Sequence, residues 1–209
     1  MSGRRRPDAA AAAQPPVRSG PDGLPVLAFA DASAWEDWLI AHADAGGLWL
    51  RIAKKGNPTA SVTYAEALDV ALCHGWIDGQ KRGDDAQWFL QRFTPRRARS
   101  LWSKINIGHA ERLIAAGRMR AGGLREIEAA KADGRWDAAY AGAATMELPA
   151  ELSAALARDP KAQAAFAALD RTNRYAICWR VATAKRAQTR EARAADLLEK
   201  LARGETPHG

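Results

Sequence analysis

A chain of 209 residues, 47 % of them hydrophobic and with a formal net charge of +7, is long enough for one domain or two small ones and can bury a core. No apolar run approaches the roughly 20 residues that cross a bilayer, which excludes a helical membrane span. Two cysteines, Cys73 and Cys178, supply neither a disulfide framework nor metal-ligand spacing, so both are expected as buried free thiols in a reducing compartment.

Arg4-Arg5-Arg6 followed by Ala9 to Ala13 has the outline of a signal peptide. The run is too short and too weakly hydrophobic, and Gln14-Pro15-Pro16 interrupts it, so a cytoplasmic protein is expected. Residues 1–25 are rich in Ala, Pro, Gly and Arg without periodicity and read as a disordered tail. An α+β domain is expected over 26–135 and a helical module over 148–204.

Ser33 and Glu36 have capping-box spacing, and Trp35, Trp38, Leu39 and His42 follow on one helical stripe that Gly46-Gly47 ends. Leu48 to Lys54 alternates as a half-buried strand does, with Leu48, Leu50 and Ile52 on one face and Trp49, Arg51 and Ala53 on the other. Thr63 and Glu66 repeat the capping box before an apolar helix face, with Gly75 closing it. Trp76–Lys81 and Gln87–Thr94 read as a hairpin turning through Gly83-Asp84. Pro95 stops the second strand, and Ser100 or Ser103 starts a helix whose inner side carries Ile105, Ala110, Leu113 and Ile114. A short helix over Leu124–Ala132 closes at Gly134. After a looser connector the pattern is helical: Pro149–Ala157, a helix opened by Asp159-Pro160, Thr172 to about Ala184, and about Thr189 to Ala202. The fold class is therefore α+β, a small mostly antiparallel sheet with helices followed by a C-terminal helical module.

Charge is concentrated. Between Gln91 and Arg125 nine basic residues face one acid, Glu111, for a net +8; between Arg171 and Arg193 seven face Glu191, for +6. Such asymmetry suits anionic partners, though a solvated face explains it equally.

The most unusual composition is Cys73-His74-Gly75-Trp76-Ile77-Asp78-Gly79. Adjacent residues on a helix diverge by about 100°, so Cys73 and His74 cannot readily form a catalytic dyad. Structural roles are expected instead: Cys73 in the core, Trp76 on the sheet and Asp78 accepting in a turn. No phosphate loop, nucleophile elbow or dinucleotide fingerprint is present, and no cofactor or metal is implied.

Two basic stretches remain. Arg92, Arg96 and Arg97 precede Trp102 and Lys104 at a strand-to-helix junction, where guanidinium groups and helix-terminal amides suit an oxyanion or carboxylate. Lys185, Arg186, Thr189 and Arg190 lie at a helix–helix junction. The alternatives put Trp102 in the core, pair the arginines with Asp78, Asp84 or Asp85, and have Thr189 cap the last helix; the sequence is compatible with both readings. In the anion-binding reading Asp78, Arg92, Arg96, Arg97, Trp102, Lys104, Lys185, Arg186, Thr189 and Arg190 form the candidate set, with the two runs flanking one cleft.

Leu72 to Gly79, Arg92-Phe93-Thr94-Pro95-Arg96, Trp102-Ser103-Lys104-Ile105-Asn106 and Leu113-Ile114-Ala115-Ala116-Gly117-Arg118-Met119 resemble successive blocks of the YdeI/OmpD-associated proteins, a bacterial family. Ala184-Lys185-Arg186 through Thr189-Arg190 is similar to that family's C-terminal helical, bacteriocin-protection module. The resemblance spans about residues 27–204; His74 departs from it, standing where many relatives carry an aromatic or other residue. It implies a role in bacteriocin or antimicrobial-peptide protection and stress tolerance, association with a porin, and no agreed reaction. The expected function is a non-enzymatic anion- or partner-binding protein. The alternatives are a nucleic-acid binder using the basic runs and tryptophans, or an enzyme using Asp78 with Arg92 or Arg96.

Overall fold

The computed structural model of the chain describes residues 18–208. The signal-like stretch, and the expected tail as far as residue 17, lie outside the described residues. The described residues divide into two compact units, 18–96 and 97–208.

The first unit is built on a four-stranded sheet in the order β1-β2-β4-β3, with β1 Val26–Leu27, β2 Leu48–Ala53, β3 Trp76–Gly83 and β4 Trp88–Pro95. β1 runs parallel to β2, and the other pairs are antiparallel. β1 is too short to show a period and was not expected. Helix α1, Ala32–Ala41, is capped by Asp31, whose carboxylate accepts from the Ala34 amide, rather than by the Ser33/Glu36 box. Helix α2, Tyr64–Cys73, carries the expected capping box, with Thr63 and Glu66 satisfying each other's backbone amides.

One sheet face is an aromatic core. Trp35, fully buried, contacts Phe29, Trp38, Trp76 and Phe93 at centroid distances of 5.3, 5.6, 6.1 and 5.8 Å and donates from its indole to the Ala67 carbonyl at 3.1 Å. On the opposite face, Trp49 is only 2 % exposed, so β2 is not the half-buried strand its alternation predicts. Residues 18–25 cover it: the Trp49 indole donates to Asp22 at 2.7 Å, and a Cβ on Gly20 would fall 2.2 Å from the Trp49 ring. Arg18 pairs with Asp84, which also accepts from Arg51 at 2.7 Å. The register of β3 on β4 shifts between Asp78 and Lys81, and Gln91, 3 % exposed, donates to the Gly79 and Gln80 carbonyls of the bulge at 2.9 and 3.3 Å. Cys73 is a buried free thiol.

The second unit is helical. Ser103 caps α3, Lys104–Ala115, by accepting from the Asn106 amide. Ala110 and Leu113 of α3 are fully buried, but Ile105 and Ile114, expected on the same side, are 57 % and 41 % exposed. α4, Ala121–Ala132, follows, starting three residues before the expected helix. Then come α5 Ala150–Ala157, α6 Pro160–Ala168, α7 Arg171–Ala182 and α8 Ala187–Ala202. Leu152, Leu156, Ile177, Val181, Ala194, Leu197, Leu198 and Leu201 form the core of this last group. Asp159 and Asp170 cap α6 and α7. No helix among the described residues is long and apolar enough to cross a membrane.

Candidate functional site

The basic side chains of the first unit are largely committed to structural partners. Arg92 on β4 donates from Nε to Asp22 at 2.8 Å. Arg96 is buried at 7 % exposure, its amide bonded to the Gly75 carbonyl at 3.0 Å. Asp78 accepts from the Tyr64 hydroxyl at 2.7 Å; burial and this carboxylate push the tyrosine well above its ordinary pKa. Asp78 opposes Phe93 across the ladder, so strand pleating puts its side chain on the face opposite that of Arg92. The two are not arranged as a joint acid and cation. Asp84 and Asp85 pair with Arg51, and Asp84 with Arg18, rather than with the candidate arginines. His74 pairs through Nε2 with Glu36 at 3.1 Å and faces no thiol partner in that contact.

In the second unit Arg97 is exposed and its amide donates to the Ser100 hydroxyl at 2.9 Å. Trp102 is a core residue, 2 % exposed, with its ring 4.9 Å from that of Trp136. Lys104, exposed, opens α3, and its amide donates to the Tyr140 carbonyl at 2.9 Å. Thr189 does not cap the last helix: α8 begins at Ala187, with Arg186 at the capping position and no side chain bonded to the first turn.

Two candidates do come together. Lys185 and Arg190 line one cleft of about 310 Å³, with Arg135, Asp133, Leu101 and Ala184 among the other walls. Arg190 donates to Glu151 at 2.6 Å and to the Ala184 and Lys185 carbonyls at 3.3 Å each, fixing the turn ahead of α8. Arg135, 6 % exposed, donates to Asp133 at 2.7 Å and to the Ser100 carbonyl at 2.9 Å. The Lys185 ammonium makes no hydrogen bond among the described residues and meets Asp133 only through space. The positive end of α8 adds to the potential of the cleft. Arg135 and Glu151 were not foreseen: Glu151 is 39 residues from the arginine it holds, a separation no local pattern encodes.

The Arg135 hydrogen bond holds the Asp133 carboxyl below its ordinary pKa, and the Arg190 hydrogen bond does the same for Glu151. A carboxylate with a depressed pKa stabilises the fold fully above its unfolded value and loses that contribution as pH falls through the folded one. Acid titration of the melting temperature should therefore show a loss below the ordinary Glu value of 4.5 that Glu151→Gln removes in part. An unchanged acid limb in that variant would contradict the pairing.

No three His, Cys, Asp or Glu side chains among the described residues are placed to hold a metal ion. The cleft, about 310 Å³, is walled by the Lys185 ammonium, two guanidinium groups already paired to carboxylates and the start of α8, a chemistry more suited to an oxyanion than to a cation.

The molecule thus joins an aromatic-cored α+β unit to a helical unit with a basic cleft. Residues 145–204 match the family model described as Bacteriocin-protection, YdeI or OmpD-Associated, and the chain therefore carries a module of the YdeI/OmpD-associated family. Residues 27–126 match a second model, a domain of unknown function, DUF8412. No curated protein and no solved structure matches the chain.

Proposed function

We propose that this protein is a non-enzymatic anion-binding protein and that the anion is held where α8 begins, by Lys185 with Arg190 and Arg135. The observation that carries this reading is that three cations line one cleft with a single carboxylate, Asp133, among its walls, while Lys185 is left without a hydrogen-bond partner among the described residues. Glu151 neutralises Arg190 and Asp133 neutralises Arg135, so the charge left to the cleft is that of Lys185, which a bound oxyanion would neutralise. The name of the family model at 145–204 includes bacteriocin protection, and we extend that role to this chain as the setting in which the anion is bound.

The test is thermal unfolding in phosphate and in chloride at equal ionic strength. Phosphate stabilises folded chains generally by exclusion from their surface, so the informative quantity is the difference between parent and variant. The parent should gain more from phosphate than Lys185→Ala does, by an amount that saturates with concentration as site binding requires. Equal gains in both would sink the reading. A bacterium lacking the protein should lose bacteriocin tolerance, and Lys185→Ala should restore it less well than the parent.

A further inference from the structure

A second cavity, of about 470 Å³, lies beside α7, and its character differs from that of the cleft. Arg171, Arg174, Tyr175 and Cys178 line it at positions i, i+3, i+4 and i+7, which is one stripe of a helix. The stripe is graded: two guanidinium groups at the start of α7, then an aromatic ring, then a thiol. Over these residues α7 advances about 10 Å. Met146 and Phe166 face the stripe, and Leu148 stands at the same cavity, 44 % exposed.

The charges are arranged in one sense. No acidic side chain lines the cavity among the described residues. Asp170, next to Arg171 in sequence, is turned to cap α7, accepting from the Asn173 amide at 2.7 Å. Arg174 is anchored to the end of α6, donating to the Leu169 and Ala167 carbonyls at 3.0 and 3.3 Å. Arg171 is exposed and makes no hydrogen bond or ion pair among the described residues. Burial raises the Cys178 thiol above its ordinary pKa, so at neutral pH the inner end of the stripe is an uncharged, weakly polar surface rather than a nucleophile.

We infer that this cavity binds a medium-chain aliphatic carboxylate, with the chain laid along Tyr175 and Cys178 against Met146 and Phe166 and the carboxylate on Arg171 beside Arg174. The volume falls in the range of small-molecule sites, and the apolar lining with a few polar groups at one end is the composition such sites have. The polarity of the stripe sets the orientation, and the absence of acidic lining sets the sign of the head group. This site is separate from the Lys185 cleft and does not depend on it.

Calorimetric titration of the full chain with decanoate below its micelle concentration tests the inference, alongside amide shifts in NMR spectra. Decanoate should bind and shift the amides of Met146, Tyr175 and Cys178. Judged by the shifts at these amides, none of which belongs to the Lys185 cleft, acetate, which lacks the chain, and decyltrimethylammonium, which reverses the charge, should bind here at least roughly tenfold more weakly. Arg171→Ala should weaken decanoate by roughly tenfold with an unchanged melting temperature, since the side chain supports nothing in the fold, whereas Lys185→Ala should leave decanoate binding intact. Absence of decanoate binding, equal binding of the cationic analogue, shifts confined to other helices, or an unaltered affinity in Arg171→Ala would each overturn it.

Discussion

Trp35→Ala should cost about 3–5 kcal/mol, the range for deleting a fully buried tryptophan, and leave the first unit largely unfolded at temperatures where the parent is intact. The ring is at 0 % exposure with four aromatic neighbours, so its removal opens a cavity that Phe29, Trp38, Trp76 and Phe93 cannot all collapse into without leaving their rotamers. The indole also donates to the Ala67 carbonyl of α2, an added bond on an acceptor the helix already engages, and the alanine variant would lose it. Trp35→Phe separates the contributions: it retains part of the packing and should cost less, with the lost hydrogen bond worth about 1 kcal/mol. Denaturant unfolding followed by circular dichroism measures both, and hydrogen exchange assigns the loss to residues up to Arg96. A loss below about 1 kcal/mol for the alanine variant would show that this ring does not organise the core.

Much of the fold is local and was legible. The Thr63/Glu66 box, the glycines that close α2, α3, α4 and α8 and the hairpin from Trp76 to Pro95 all depend on residues within a few positions of one another, whereas α1 ends at Ala41, short of the expected stop at Gly46-Gly47. The Ser33/Glu36 box fits the same spacing rule but fails because Asp31 caps two residues earlier and Glu36 is drawn to His74, 38 residues away. The bulge on β3 is set by Gln91 on the neighbouring strand, and alternation along β3 carries no mark of it. Ile105 and Ile114 sit at helical spacing, yet the buried face of α3 is defined by Ala110 and Leu113, because burial follows the tertiary neighbour rather than the hydropathy of the helix alone. In the candidate site, composition pointed to Lys185 and Arg190. Their counter-charges come from other helices and were invisible, as was the graded stripe on α7, which opens on an ordinary exposed arginine.

Comparing a chain that starts at residue 18 with one that starts at residue 26 should show a loss of about 2–3 kcal/mol, most of it from uncovering one tryptophan. Trp49 lies on the sheet face opposite α1 and α2, where alternation predicts exposure, yet it is 2 % exposed. Gly20 lies against its ring and Asp22 takes its indole proton. A Cβ on Gly20 would come within 2.2 Å of the Trp49 ring, so Gly20→Val should lift the segment and reproduce much of the loss without any truncation. The Trp49 hydrogen bond, joined by that of Arg92, holds the Asp22 carboxyl below its ordinary pKa. By the sign of a depressed carboxylate, this part of the stabilisation is complete above the unfolded value and disappears as pH falls through the folded one. The difference between the two chains should therefore narrow in acid, leaving the apolar contribution behind. Equal stability of the two chains at neutral pH, by denaturant titration, would mean that the cover over Trp49 is inconsequential. Arg92 takes part in the same cover, since its Nε donates to Asp22 and helps hold that carboxylate over β2 and β4.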